Sequence, residues 1–458
     1  MNDSTSLNQL HNRLSEAFDD LWSSFVDPRD AYCDDEGRAW GALGDGVGST
    51  SAQGCAFQNE QQLAAVRNEC RALAVSNEFA INGHENRVNF IVGAGHNYRA
   101  TDRKHADADA SLTAEVQQVV DEFLRINHWT RRQQEIVHRL DRDGEVFLRY
   151  FATPAGLLHV RFVEPGQVAA PDGADRDRAA SFGIVTNPDD VETVHAYYID
   201  GIAVPAHDVQ NRKAGVDANV KRGLPLYYPV RKNLRRAEKL LRNMSTVAEI
   251  QSAIALIRKH QGTSRTAVQQ FVAAQPDSAT TRGVGPGSTV RRFAPGTILD
   301  AYGNVDYDFP AAALDAASYV AVLQAELRAI AARLVMPEFM LTSDASNGNY
   351  ASTLVAESPA VRMFQRLQAR QIADDREVLQ RAIATAVAAG RLNSAALTEV
   401  ELQIEAPSPA VRDAKQEADV HAVEFRNGIL SPQTWCLRAG LDYDREQANW
   451  DAHRRRTS

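Results

Sequence analysis

The chain has 458 residues, 44% hydrophobic and 24% charged, with a net charge of −9. That length supplies core for about two or three domains, and the acidic balance excludes a protein that clamps duplex DNA tightly. No apolar run reaches the roughly 18 residues a membrane helix needs, and the start MNDSTSLNQLHNRLSEAFDDL lacks the basic stretch and apolar core of a secretory signal.

Residues 1–57 read as an acidic arm, where Asp19, Asp20, Asp27, Asp30, Asp34, Asp35 and Glu36 face only Arg13, Arg29 and Arg38. Gly41 to Gly54 is a flexible loop by composition. Gln58 to Ser76 is expected to be helical, with Leu63, Val66, Cys70 and Leu73 on one face. Leu112 to Leu140 supplies more helix, with Val116, Val119, Phe123 and Ile126 in register. His128 and His138 read as packing or surface histidines, because no acidic or cysteine partner completes a ligand pattern. Asp141-Arg142-Asp143-Gly144-Glu145 has a passing likeness to a calcium loop. Its glycine falls at the fourth position and the later ligands are missing, so a turn into a strand is expected. Two hairpins follow, Glu145–Phe151 with Leu157–Val163, then HAYYID and IAVP around Asp200-Gly201, a type I′ turn signal. They make a small β-rich domain over about 141–210.

Lys221 to Gly262 reads as a long helix with the stripe Leu240, Met244, Val247, Ile250, Ile254 and Ile257. Its approach and first turns are basic: Lys221, Arg222, Arg231, Lys232, Arg235, Arg236, Lys239 and Arg242 against Glu238. That pattern fits a solvated or subunit-pairing face, or contact with phosphates or a partner. Thr263 to Asp308 is rich in Gly, Pro, Ser and Thr, with strands at Val290–Phe293 and Thr297–Leu299.

Phe309-Pro310 opens a second long helix running to Met336. Tyr319, Leu323, Leu327, Ile330 and Leu334 form its bulky stripe, and Ala317, Ala321, Ala325 and Ala332 a second, small face. Such a helix suits the centre of a core or packing between copies of itself in a ring. Pro337 stops it, and Glu338 to Ser352 is polar. Helix resumes at Val355 to Ala389, interrupted at Pro359 and capped by Gly390; Val400–Ile404 is a strand and Ala410–Arg426 a helix. Ser431-Pro432 starts another helix ending at Gly440, and Arg454-Arg455-Arg456 reads as a frayed tail.

Catalytic patterns are missing: there is no P-loop, G-x-S-x-G, H-E-x-x-H or paired C-x-x-C. Four cysteines (Cys33, Cys55, Cys70, Cys436) without paired spacing point to free thiols in a reducing compartment. No metal site and no cofactor are expected.

PGTILDAYGNVDYDFPAAALD followed by ELRAIAARLVMPEFMLTSDASNGNYASTLVAES resembles the portal proteins of tailed bacteriophages, closest to the lambda-like branch. The Asn349-Tyr350-Ala351-Ser352 run, Gly144 to Arg149, and Arg71, Asn77, Asn86, Val92 and Gly93 occupy similar positions. The resemblance implies an α+β, portal-type subunit with long stem helices, a small β-rich wing domain and a β-containing clip. It divides the chain into wing 58–220, first stem helix 221–262, clip 263–308, second stem helix 309–336, tunnel loop 337–354 and a C-terminal helical wing or crown region 355–458. Thr342, Ser343, Asn347, Asn349, Tyr350 and Ser352 would face DNA, and Lys221, Arg222, Arg231, Lys232, Arg235 and Arg236 would contact DNA or neighbouring subunits.

The same resemblance implies a homo-oligomeric ring, a dodecamer, at one capsid vertex of a virion assembled in the host bacterial cytoplasm. Double-stranded DNA would be packaged and ejected through it. Its partners would be the terminase large subunit, the head–tail connector and a major capsid or scaffold protein, with no membrane. Outside that resemblance, the residues also fit a non-viral α+β scaffold or adaptor, or a cryptic metal-dependent nucleic-acid enzyme.

Overall fold

The structure is a computed structural model that describes residues 57, 59–103, 110–171, 178–187, 189–260, 279–283, 289–293, 297–302, 316–344, 350–409 and 414–457. The acidic arm over 1–56, the Phe309-Pro310 helix start and the centre of the polar loop lie outside them. Two compact units emerge. One comprises the chain up to Arg231 together with Ile330 onward, and the other runs from Lys232 to Ala329.

The larger unit begins with α1, Glu60–Ser76, and α2, Glu78–Ile91. Asn59 and Asn77 cap them, their side chains accepting from Gln62 N and Ala80 N. Strand β1, Asn97–Asp102, is followed by α3, Ala110–Asn127, and α4, Trp129–Asp143. The single helix expected over Leu112–Leu140 is therefore two. His128 adopts the left-handed conformation (φ 48°) between them, a break no glycine or proline announces.

The expected hairpins are present. β2, Glu145–Ala152, pairs with β3, Leu158–Val163, and also with β7, Val209–Lys213. β4, Ile184–Thr186, pairs with β5, Val194–Ile199, which pairs with β6, Ile202–Pro205. Asp200 (φ 50°) and Gly201 (φ 77°) make the two-residue turn as read. Phe147, Val163, Ile184, Tyr197, Ile199 and Val204 form this β region's own apolar cluster.

The larger core lies between α3, α4, β2, β3 and the far half of a 39-residue helix, Tyr350–Ala388. Val116, Val120, Ile136, Leu148, Val160, Val378, Leu379 and Ala386 are fully or almost fully buried there. β12, Val400–Glu405, pairs antiparallel with β1, Asn97 opposite Glu405 through Asp102 opposite Val400. This ladder ties the last third of the chain into the fold made by its first third. Two helices, Ala414–Arg426 and Pro432–Arg438, come next, the second capped by Ser431 Oγ accepting from Thr434 N. The Arg454–Arg456 tail is helical, inside Tyr443–Thr457. Asp442 Oδ1 accepts from Arg445 N at its start, and three arginines at its end suit the helix dipole.

In the smaller unit the first long helix, α5, is Arg231–Ala253, shorter than the 221–262 read from the sequence. Ile254–His260 leaves the helix as strand β8 and pairs in parallel with β11, Thr297–Tyr302. Isoleucines at 254 and 257 satisfy either a helical stripe or a strand, and the distant partner strand decides. β9, Ala279–Gly283, and β10, Thr289–Phe293, form an antiparallel pair. The second long helix, α6, is described over Ala316–Leu334. Glu326 accepts from Asn233 Nδ2 at 2.6 Å and pairs with Arg236 at 3.2 Å, linking α5 to α6.

Candidate functional site

The polar stretch after α6 is more structured than its composition suggests. α6 ends as Val335 turns left-handed (φ 53°), with Val335 N donating to Ala332 O and Met336 N to Ala331 O. A β-branched residue in that conformation costs on the order of 1–3 kcal/mol. Pro337 is then the N-cap of a short helix, α7, Glu338–Thr342, and Ser343 (φ 57°) closes it. The long helix restarts at Tyr350, here α8, and passes through Pro359 without a break. The span read as a 337–354 loop thus contains α7 and the first residues of α8.

Of the residues expected to face DNA, Thr342 is half-buried, its hydroxyl donating to Glu338 O at 3.0 Å, and Ser343 is exposed. Asn347 and Asn349 lie outside the described residues, and Tyr350 and Ser352 stand in the first turn of α8.

The base of this segment is held by α2. Asn82 Nδ2 donates to Leu341 O at 2.6 Å and to Met340 O at 3.1 Å, while Asn86 Nδ2 donates to Met340 O at 2.7 Å. These side chains, one helical turn apart, satisfy carbonyls that the end of α7 leaves without intrahelical donors. Gly83 lies between them, where a Cβ would stand 2.5 Å from Leu334 Cδ1 and 3.3 Å from Leu341 Cδ1. The glycine lets α2 approach closely. Replacing both Asn82 and Asn86 by alanine is expected to cost about 3 kcal/mol locally, roughly 1 for each of the three hydrogen bonds. Amide hydrogen exchange across 338–344 should then quicken at least tenfold; unchanged exchange would mean the asparagines are not the anchor.

Behind α2 lies a buried ionic array built on Asp141-Arg142-Asp143-Gly144-Glu145. Its three carboxylates alternate along the chain, and each takes arginine partners. Arg87 donates Nε to Asp141 Oδ2 at 2.8 Å and Nη2 to Oδ1 at 3.0 Å. Arg71 Nη2 reaches Asp143 Oδ2 at 3.0 Å and Glu164 Oε2 at 2.9 Å. Glu145, with no exposed surface, accepts from Arg67, from Arg222 Nη2 at 2.7 Å and from Gly223 N at 3.1 Å.

Burial alone would push the Glu145 carboxyl up, but Arg222 and Arg67 outweigh it and hold it below the usual carboxylate range. Asp141 is held low in the same way, against burial, by Arg87 and His84. The cost falls partly on Arg67, which burial pushes down to about 10. Arginines already fill this would-be calcium loop. Among the described residues no three His, Cys, Asp or Glu side chains group as metal ligands.

His138 and His84 are nearer to the site than surface histidines would be. Their rings meet edge to face between α4 and α2, His138 Nδ1 contacting His84 Nε2, and His84 Nδ1 lies 3.4 Å from Asp141. Burial, and then His84, pull the His138 imidazole down.

The basic run needs correction. Lys221 and Arg222 do not begin a helix and are not available to DNA or to another subunit. Lys221 is buried and donates Nζ to Ser181 Oγ at 3.1 Å and Ile184 O at 3.0 Å. Arg222 is 1% exposed and fills all five of its N–H donors inside the unit, on Glu145 and on the carbonyls of Pro165, Val168 and Phe182. Arg231 pairs with Glu69 at 3.2 Å and lies over the Tyr228 ring at 4.2 Å. Lys232 is half-buried, Arg235 is exposed, and Arg236 pairs with Glu326. Sequence reasoning missed the ionic array and the Asn82/Asn86 base. One signal was present: Arg67 interrupts the apolar face of Leu63, Cys70 and Leu73, as a charge with a buried partner does.

An α+β subunit whose long helices flank a pinned polar segment has the organisation of a portal subunit, and comparison with known proteins supplies the family. The family model described as phage portal protein, lambda family, matches residues 48–368. The chain belongs to that family, which is structural and not enzymatic.

No curated protein matches the chain. Among solved structures, a chain in the neck of an empty GTA particle, computed with C6 symmetry, is 13% identical over 81% of this chain and 94% of that one, with a TM-score of 0.44. A chain in the virion of a native gene transfer agent particle is 14% identical over 82% and 92%, at 0.38. An HK97 family phage portal protein from Corynebacterium diphtheriae is 12% identical over 76% and 99%, at 0.32. No helix among the described residues is long and apolar enough to cross a membrane.

Proposed function

We propose that this chain forms a homo-oligomeric ring, a dodecamer, at one vertex of a phage or prophage capsid. Double-stranded DNA is packaged and later ejected through its channel. The family match over residues 48–368 carries this reading. Two structural features support it. The face of α6 opposite its buried stripe presents Val320, Ala321, Val322, Ala325 and Ala332 to solvent, small enough for close packing against a neighbouring copy. Met340 and Leu341, which lead into the polar stretch, are held by Asn82 and Asn86. Uncharged polar groups suit passage of a polyanion, which tight phosphate binding would arrest.

In this reading 58–220 is the wing and α5 and α6 are the stem helices. The clip over 263–308 docks the terminase large subunit during packaging and the head–tail connector afterwards, and a capsid or scaffold protein surrounds the ring. Assembly takes place in the host bacterial cytoplasm, and ATP hydrolysis belongs to the terminase. Arg231, Lys232, Arg235 and Arg236 remain candidates for DNA or subunit contacts; Lys221 and Arg222 do not.

Light scattering with negative-stain imaging should show large rings with a central hole. Replacing residues 347–350 by glycines should leave those rings intact while cutting DNA packaging or retention. Normal packaging by that variant would remove the loop from the mechanism. A monomer that cuts DNA with a divalent metal would replace the portal reading altogether.

A further inference from the structure

We propose that the outer face of α8 between Val355 and Ala373 is a sequence-independent contact for the duplex phosphate backbone, carried by Arg362 and Arg366 with Arg370 beside them. The proposal rests on the portal reading and adds to it a binding surface downstream of the polar segment.

The opposite face of this stretch is packed: Ala360 and Phe364 have no exposed surface, and Met363, Gln368 and Gln371 are buried. The outer face carries Arg362, Arg366 and Arg370, each four residues after the last and all exposed. Such residues lie on one side of a helix, roughly 6 Å apart along its axis. Its other exposed positions are small, apolar or uncharged, Gln365 and Ser358 among them, and none is a carboxylate. Glu357, half-buried, is the one acidic residue in the span.

In a chain with 59 acidic and 50 basic residues, that composition stands out. Further along the same helix two charges are matched, Asp375 with Arg212 at 3.0 Å and Arg381 with Asp208 at 3.4 Å, while Arg376 is exposed next to Asp375 and Glu377. Arg370 is tethered, donating to Lys213 O. Arg362 and Arg366 make no ion pair among the described residues.

Guanidinium groups with no counter-charge among the described residues suit a phosphate backbone. Val355, 74% exposed at its far end, is the one large apolar side chain exposed on this face, and the others, Ala356, Pro359, Ala369 and Ala373, are small, so the face lacks the aromatic or aliphatic anchors that centre a protein interface. Phosphates need no apolar centre, only guanidinium groups with free donors. The face lies on the helix that begins at Tyr350, next along the chain after the polar stretch that the portal reading places against DNA. Two or three arginines on flexible stems give contacts weak enough to exchange as the polyanion moves.

The test is binding of a fluorescent duplex of random sequence, about 30 base pairs long, to the purified full chain between roughly 50 and 200 mM salt. Each phosphate contact contributes about 0.9 to the slope of log K against log salt. Arg362→Gln/Arg366→Gln should lower that slope by about 2, equally for unrelated sequences, with the assembled mass by light scattering unchanged. An unchanged slope, or no binding by the unsubstituted chain, overturns the proposal. A fall in assembled mass also overturns it, making the face a contact between copies. Whether the unsubstituted chain forms rings reports separately on the portal reading.

Discussion

Arg222→Met should destabilise the larger unit by about 3–5 kcal/mol, the cost of leaving a buried charge without its partner. Glu145 would keep only Arg67 and Gly223 N–H, and the carbonyls of Pro165, Val168 and Phe182 would lose their donor. Thermal unfolding should start roughly 10 °C lower. The double substitution Glu145→Leu/Arg222→Met should recover part of the loss, because it removes the stranded charge as well as the partner.

The pH dependence follows from the sign of the shifts. Glu145 and Asp141 have folded-state values below their unfolded ones. The unfolded chain therefore takes up protons first as pH falls. The array's contribution is complete above the ordinary carboxylate values of about 4 and is lost as pH drops through the depressed ones. Without Arg222 the Glu145 carboxyl moves up, so the acid limb of unfolding should shift to higher pH. A single variant that loses less than about 1 kcal/mol, with an unmoved acid limb, would show that the array is not what holds this unit together.

The same arginine shows where sequence reading reaches its limit. A run of cations before a helix is visible in the sequence, but the carboxylate that neutralises Arg222 is 77 residues earlier. Local signals survived into the structure. Asp200-Gly201 makes its turn because a two-residue loop carries its own backbone preference. Ser431-Pro432 begins its helix because cap and proline act within one turn.

Signals that depend on a distant partner did not survive. Ile254 and Ile257 continue the stripe of α5 by spacing, yet pair with Thr297–Tyr302 as a strand. The Thr342–Ser352 segment was legible as polar, but not its base, since Asn82 meets Leu341 across 259 positions. Asp141-Arg142-Asp143-Gly144-Glu145 was legible as a cluster of charge. Its chemistry was not, because the cations that neutralise it, Arg67, Arg71, Arg87 and Arg222, are distant in sequence and take the place a metal ion would hold.

Gly144→Ala and Gly223→Ala should each cost about 3 kcal/mol or more, through a different mechanism from the loss of Arg222. Gly144 closes α4 at φ 80°, and a Cβ there would lie 2.3 Å from the Leu224 carbonyl carbon and 2.6 Å from Pro225 N. A Cβ on Gly223 would lie 1.9 Å from Gly144 O. These neighbours are backbone, not flexible side-chain tips, so one strand of chain must move away. Ala214 N donates to Gly144 O at 2.7 Å, Leu224 N to Ala214 O at 2.9 Å and Leu226 N to Asp141 O at 2.8 Å. Such a movement would therefore break a three-stranded join and withdraw Gly223 N–H from Glu145. Chemical denaturation should give midpoints well below that of the unsubstituted chain for both variants, with Gly144→Ala the worse because it adds left-handed strain to the clash. If Gly144→Ala melted normally, residues 223–225 would not be held against this turn, and Glu145 would not depend on the Gly223 N–H.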